Sequence, residues 1–164
     1  MKNNADDRME QEAEKLVNTY GDMLYRICTV TLCSATDAED AVQNTLIKCL
    51  HRNRPFRSPE HQKAWLIRAA ISSCRDFRRE EKNNVPLCIE QDLAPGIPEE
   101  QWDILQSVLA LPAIYKTVLL LYYLYGYKTG EIATILRIRP ATVRKRLQYG
   151  RELLKLEYEK EESL

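Results

Sequence analysis

Six cations and no anion stand between Ile132 and Arg151: Arg137, Arg139, Arg144, Lys145, Arg146 and Arg151. Side chains of this type at this density bind a polyanion, because each guanidinium or ammonium displaces a counterion from phosphate. A second basic stretch, Lys63 to Lys82, carries six cations against three anions. The formal net charge is nonetheless zero. Between Asn83 and Tyr115 there is no basic residue, and the tail after Arg151 is mostly acidic. Two positive patches separated by a negative segment suggest two contact points on one nucleic acid.

Other chemistries find little support. No G-x-x-x-x-G-K-[ST] run is present, so no phosphate-cradling loop for nucleotide hydrolysis is expected. The five cysteines (Cys28, Cys33, Cys49, Cys74, Cys88) form no C-x-x-C pair. With His51 and His61 they give no zinc-ligand spacing, so neither metal nor cofactor is expected. Four of the cysteines lie in apolar helical patterns, where a thiol acts as a small hydrophobe. All five read as free thiols in a reducing compartment. No apolar run approaches the roughly 18 residues a membrane span needs. The start, MKNNADDRMEQEAEK, is too polar for a signal peptide, so a cytoplasmic location is expected.

The elements that must position the cations are helices. Glycine is scarce, at five residues, and strand-like alternation is absent. Val17, Tyr20, Leu24 and Ile27 predict a first amphipathic helix from about Met9 to Leu32. Thr36, with Glu39 three residues on, predicts a capping box opening a second helix. Its apolar stripe is Ala38, Ala41, Val42, Thr45, Leu46, Cys49 and Leu50. Two prolines break the pattern over Asn53–Pro59. A third helix from about Glu60 to Glu81 buries Ile67, Ala70, Ile71, Cys74 and Phe77. Along it Arg68, Ser72, Arg75 and Arg79 form a polar, positive stripe.

A connector follows, at 84–98, with three prolines and mostly negative charge. Fifteen extended residues at roughly 3.3 Å each reach about 50 Å, or about one and a half turns of a duplex of roughly 34 Å pitch. We therefore expect an all-α chain of two small helical domains, 1–83 and 99–164, joined by a flexible acidic linker. In the second domain, Trp102, Leu105, Val108 and Leu109 mark one helix. Ile114 to Tyr125 marks another, ended by Gly126. Thr129 caps a third, Gly130 to about Leu136, and Pro140 opens a last one ending near Glu159.

The final two of these make the sharpest local motif, TGEIATILRIRPATVRKRLQYGRELL (Thr129–Leu154). A short helix with Ile132, Ala133 and Leu136 inward is followed by a tight turn and a helix with Val143 and Leu147 inward. That is a helix-turn-helix, whose second helix enters the major groove. Arg139, Ala141, Thr142, Arg144, Lys145 and Arg146 would then face the bases and the flanking phosphates, arginine suiting guanine and the threonine methyl suiting thymine.

Four stretches together are specific: DAEDAVQNTLIKCL (Asp37–Leu50), KAWLIRAAISSCRDFRR (Lys63–Arg79), LLLYYLYGYKTGEIATIL (Leu119–Leu136) and TVRKRLQYGRELLK (Thr142–Lys155). In this order and spacing, over about Leu16 to Leu156, the chain resembles the extracytoplasmic-function sigma factors. The resemblance implies a subunit that directs core RNA polymerase to promoter DNA, opens the duplex and is not itself an enzyme. It implies that Asp37–Leu50 docks on the clamp coiled coil of the largest subunit through Asp37, Asp40, Gln43, Asn44 and Ile47. It implies that Phe56, Arg57, His61, Gln62 and Lys63 form the pocket for an unstacked base of the minus-ten motif. Arg68, Ser72, Arg75 and Arg79 would track the backbone there. Trp65 matches a family tryptophan but reads as a residue of the domain core. The helix-turn-helix would read the minus-thirty-five duplex and sit near the flap of the second-largest subunit. An anti-sigma factor, often membrane-anchored in this family, is a further implied partner.

Two departures from the family pattern stand out. Ser72 occupies a place where many relatives carry asparagine. Arg137 and Arg139 hold places often taken by glycine and a capping serine, and loss of such a cap costs about 1 kcal/mol. The competing reading is a free-standing helix-turn-helix regulator that binds operator DNA without polymerase. It accounts for the C-terminal half and leaves the Asp37–Arg79 pattern unexplained.

Overall fold

A computed structural model describes residues 4–80 and 102–162, with side chains over 4–78 and 106–155. The described residues form helices and turns and no strand. The expected acidic connector, 84–98, lies outside them. The chain divides into two compact units, Met1–Leu87 and Cys88–Leu164.

The first unit is a three-helix bundle of α1 (Asn4–Leu32), α2 (Ala35–Leu50) and α3 (Pro59–Glu80). Helix α1 begins some five residues earlier than its apolar period suggests. Its first three turns are largely exposed and carry Asp6, Asp7, Glu10, Glu12 and Glu14, the acidic residues near the start favouring the helix dipole. The buried stripe starts at Leu16 and continues through Leu24, Ile27 and Cys28. Val17, expected inward, is about half exposed. Leu16, Tyr20, Leu24 and Cys28 repeat at steps of four, and Val17 sits a further 100° round the helix, off that line.

Helix α2 begins at Ala35, and the expected cap at Thr36 is not used. Ser34 is the N-cap, with extended backbone, and its hydroxyl accepts a hydrogen bond from the Asp37 N–H at 3.3 Å. Thr36 already lies inside the first turn, where its hydroxyl cannot serve the orphan amides. Ala38, Ala41, Thr45 and Cys49 are buried, and Val42, Leu46 and Leu50 pack beside them. The Thr45 hydroxyl is satisfied locally, donating to the Ala41 carbonyl at 2.8 Å. From α3, Leu66, Ala70 and Cys74 complete this core. At the far end, Arg78 Nη2 donates to the Thr31 carbonyl at 2.9 Å. A cation there satisfies one of the last acceptors of α1 and complements its negative end.

Two core thiols meet where α1 crosses α3. Cys28 and Cys74 are fully buried and free, as is the buried Cys49. The Cys28 thiol is held far above the ordinary thiol range, first by its hydrogen bond with Cys74 and then by burial. Cys33 departs from the expectation of free thiols: it is disulfide-bonded, its partner lying outside the described residues.

The second unit contains α4 (Trp102–Leu109), α5 (Ala113–Leu119), α6 (Thr129–Leu136) and α7 (Pro140–Glu162). Here α5 does not run to Tyr125 as expected. It passes into a π turn, Leu120–Leu124, in which the Tyr125 N–H bonds the Leu120 carbonyl at 3.3 Å. The wider turn keeps Leu121 buried while leaving Tyr122, Tyr123 and Leu124 exposed. Gly126 then ends the segment at φ +68, with the Tyr127 N–H reaching back to the Leu121 carbonyl. Glycine takes that left-handed conformation without steric cost. Against this pair lies α7, close enough at Gly150 that a Cβ there would come within 3.1 Å of Leu119 Cδ1.

One residue hidden in the apolar pattern of α5 is charged. Lys116 is 2% exposed, and its Nζ donates to the Leu109 carbonyl at 3.3 Å. The ammonium thereby serves the open acceptors at the end of α4.

Replacing Ser34 with alanine is expected to lower the stability of the first unit by about 1 kcal/mol, whereas Thr36→Ala changes it by less than about 0.5 kcal/mol. Chemical denaturation of the two variants reads the difference. At pH 8, Cys28 and Cys74 are expected to resist iodoacetamide in the folded chain and to react fully once it is denatured, since both are fully buried and the reagent has no access to the core. Peptide mapping after alkylation measures each site.

Candidate nucleic-acid and protein interfaces

The helix-turn-helix is built by α6 and α7. Lys128, in extended conformation, precedes α6, and its N–H donates to Glu131 Oε2 at 2.9 Å. Thr129 was expected to cap this helix; it is instead the first helical residue. The Glu131 carboxylate reaching back to the preceding N–H supplies one half of a capping box without a hydroxyl partner. Ile132, Ala133 and Ile135 are buried, as are Val143 and Leu147 of α7. Leu136, expected inward, is half-buried, and Ile135 takes the deeper place. Both are apolar neighbours on the helix, so composition alone does not tell which one turns in.

Helix α7 opens at Pro140, where a missing N–H is harmless. The Thr142 and Val143 amides bond the Arg139 carbonyl at 2.9 and 3.2 Å. Arg139, Ala141, Arg144 and Lys145 are exposed, and Thr142 and Arg146 are half-buried. The expected base-facing residues thus share the outward side of the first turns of α7, while Val143 and Leu147 hold the inward side. Arg151, two turns further on, lies against the π turn: its Nε donates to Tyr123 Oη at 2.6 Å and its guanidinium lies 5.6 Å from the Tyr122 ring centre. Tyr115 and Tyr149 stack at 6.1 Å beside them.

In the first unit, α2 turns Asp40, Gln43, Asn44 and Ile47 outward together, with Asp37 half-buried at its start. Ile47 is 52% exposed. A branched apolar side chain among polar ones on a helix whose other face is core is a feature of partner-binding surfaces.

The loop after α2 is pinned by residues that periodicity does not flag. The Arg52 guanidinium lies 4.1 Å from the centre of the Phe56 ring and 5.7 Å from that of Trp65, and its Nη1 donates to the Arg54 carbonyl at 2.6 Å. Phe56 also meets the His61 and Trp65 rings edge-on at 5.4 and 5.7 Å. His61 Nδ1 accepts from the Arg57 N–H at 3.2 Å, and the Ser58 hydroxyl accepts from the His61 N–H at 3.1 Å. The structure therefore brings Phe56 and His61 together, with the Arg57 N–H on the His61 ring and Arg52 over the Phe56 ring. Arg57 is exposed, while Lys63 is half-buried.

Gln62 is set apart. Its Oε1 lies 3.4 Å from the Tyr20 hydroxyl, and its side chain bonds the Cys49 thiol, partly offsetting the rise that burial imposes on that thiol. Its amide is thus engaged toward α1 and α2. On α3, Ser72 and Arg75 are exposed and Arg68 is half-buried; the Arg79 side chain lies outside the described residues. Trp65 is half-buried against the core as well as against Phe56. Among the described residues no group of three or more histidine, cysteine or acidic side chains is gathered as a metal would need. No described helix is long and apolar enough to cross a membrane.

Comparison with known proteins matches both units. The sigma-70 region 2 profile covers residues 16–84, and the sigma-70 region 4 profile covers residues 101–154. The chain is 30% identical to the ECF RNA polymerase sigma factor SigW of Bacillus subtilis, over 85% of each chain. It is 28% identical to SigV of the same organism, over 84% of this chain and 86% of that one. Among solved structures, the sigma factor RpoE bound to the anti-sigma factor NepR from Bartonella quintana superposes with a TM-score of 0.66 at 21% identity, covering 91% of this chain and 98% of that one. CnrH bound to the cytosolic domain of CnrY superposes with a TM-score of 0.60 at 23% identity, covering 90% and 87%. The region 2 match accounts for the half of the chain that a free-standing regulator leaves unexplained. With two helical units of this build and both regions in order, the chain belongs to the sigma-70 family, as an RNA polymerase sigma factor of the extracytoplasmic-function type.

Proposed function

We propose that the two units divide the work of promoter recognition. Residues 1–83 hold core RNA polymerase and open the minus-ten region, residues 99–164 bind the minus-thirty-five duplex, and 84–98 connect them. The observation that carries this reading is the outward face of α2. Asp40, Gln43, Asn44 and Ile47 stand exposed on a helix whose opposite side is fully committed to the core. In this reading that face, with Asp37, docks on the clamp coiled coil of the largest subunit.

Strand opening falls to the loop and α3. Phe56, Arg57 and His61, with Arg52 over the Phe56 ring, form the wall and polar edge for an unstacked base, and a flipped base needs both. Lys63 adds a cation to that pocket, and Arg68, Ser72, Arg75 and Arg79 lead the strand along α3. Gln62 contributes less directly, its amide being engaged with Tyr20 and Cys49. On the duplex side Arg139, Ala141, Thr142, Arg144, Lys145 and Arg146 enter the major groove, with the flap of the second-largest subunit as a neighbouring partner. No cofactor takes part, and the free energy for melting comes from polymerase binding and base capture. One structural neighbour is in complex with an anti-sigma factor and another with the cytosolic domain of CnrY, which supports a similar inhibitor here, acting in the cytoplasm on the surfaces that polymerase and DNA use.

Substituting Ile47 with aspartate is expected to weaken binding to core polymerase at least about tenfold, from the loss of roughly 1.5–3 kcal/mol of apolar burial. The melting midpoint should stay unchanged, because the side chain is exposed. Co-purification with core polymerase and transcription from a cognate promoter measure the effect. Undiminished binding would remove α2 from the interface. Arg144→Ala is expected to cost about 1–3 kcal/mol of duplex binding and to relax sequence preference at one base pair, read by competition between duplexes differing at single positions.

A further inference from the structure

Arg137 follows α6 in the left-handed conformation, φ 55 and ψ 44. The Ile138 N–H bonds the Ala133 carbonyl at 3.1 Å across it, closing the helix end. Gly126, at φ +68, occupies the corresponding left-handed position after the π turn. Glycine adopts this geometry freely, whereas the Cβ of any other residue crowds the following carbonyl. An arginine here therefore lowers stability, and its side chain returns nothing to the fold. It is exposed, and among the described residues no partner holds it by hydrogen bond or ion pair.

Its neighbours are all of one sign. From Ile132 to Arg151 the chain carries six cations and no anion. Arg139, Arg144 and Lys145 are exposed alongside it. When a helix-turn-helix docks, its first helix crosses the sugar–phosphate backbone and the second enters the groove. The turn joining them leaves the helix that crosses the backbone, so phosphate oxygens are the acceptors its guanidinium fork would meet first.

We propose that Arg137 is a phosphate anchor for duplex DNA, kept in a strained backbone position to fix the register of α7 without reading sequence. The inference rests on α6–α7 as the duplex-binding element and adds a residue to it whose effect on folding and on binding is opposite in sign.

Arg137→Gly in the full chain tests it, using thermal unfolding of the chain together with anisotropy of a labelled mixed-sequence duplex of about 30 base pairs bound by the chain in complex with core polymerase, over a range of potassium chloride. The melting midpoint of the second unit should rise by about 4 °C. Duplex affinity should fall about three- to tenfold, equally for every sequence, and the slope of log affinity against log salt should shrink by about one. Arg137→Lys, which keeps the charge on the same backbone, should retain the wild-type slope. A raised midpoint with unchanged affinity and slope would overturn the anchor. So would a lowered midpoint, which would give the side chain a structural task. Arg144→Ala separates the two levels of the argument. If it too binds like wild type, or if wild type binds no duplex, the reading of α6–α7 fails; if only Arg137→Gly is silent, the anchor alone fails.

Discussion

Everything in the first unit depends on how near three helices can come to one another. Ala38, Ala41 and Ala70 have no exposed surface, and at these positions the backbone of one helix meets the side chains of the next. Leu24, Leu66 and the two thiols of Cys28 and Cys74 fill the remaining space. Interiors packed to crystal-like density leave no latitude for a larger residue at such points. Once the small residues fix the approach, the rotation of each helix about its axis is also fixed. The outward line of α2 and the polar line of α3 are then consequences of the core rather than independent features. The loop after α2 gains its order in the same way, since Trp65 is held by the core on one side and supports Phe56 and Arg52 on the other.

The fold class and the course of most helices were legible because apolar residues at steps of three and four leave only one stripe to bury. The α2 stripe from Ala38 to Leu50 lies inward as its spacing implies. Legibility failed where two adjacent residues compete for one role. Leu16 and Val17, Ile135 and Leu136, Ser34 and Thr36 are each equivalent by type, and the choice within each pair is set by a rotation or a backbone angle that only packing determines. The π turn at Leu120–Leu124 was hidden for a related reason: one additional residue in a helical turn changes no apolar period over so short a window. Lys116 vanished inside an apolar run because its stem is apolar too.

For the candidate interfaces, residue type proved a better guide than position. The cations of α7 were evident from charge alone, and the α2 surface from an isoleucine on the wrong side of an amphipathic helix. By contrast, Arg52 carried no signal. It lies just past the end of α2, and a cation at a helix end is ordinary. Its part in ordering Phe56 and the Arg54 carbonyl is tertiary. Gln62 shows the converse, being adjacent in sequence to the residues proposed for the pocket while its amide is engaged with α1 and α2.

The buried ammonium of Lys116 has a consequence for how the second unit opens. Its bond to the Leu109 carbonyl spans the Ala110–Pro112 turn between α4 and α5. Were α4 to detach alone, the buried Lys116 would give up this bond, which costs more inside a packed interior than at an exposed surface. Detachment of α4 is therefore tied to hydration of Lys116, which requires α5 to loosen as well. The two helices form one cooperative block, so slow amide hydrogen exchange in them should share a single opening free energy rather than fray from the α4 end.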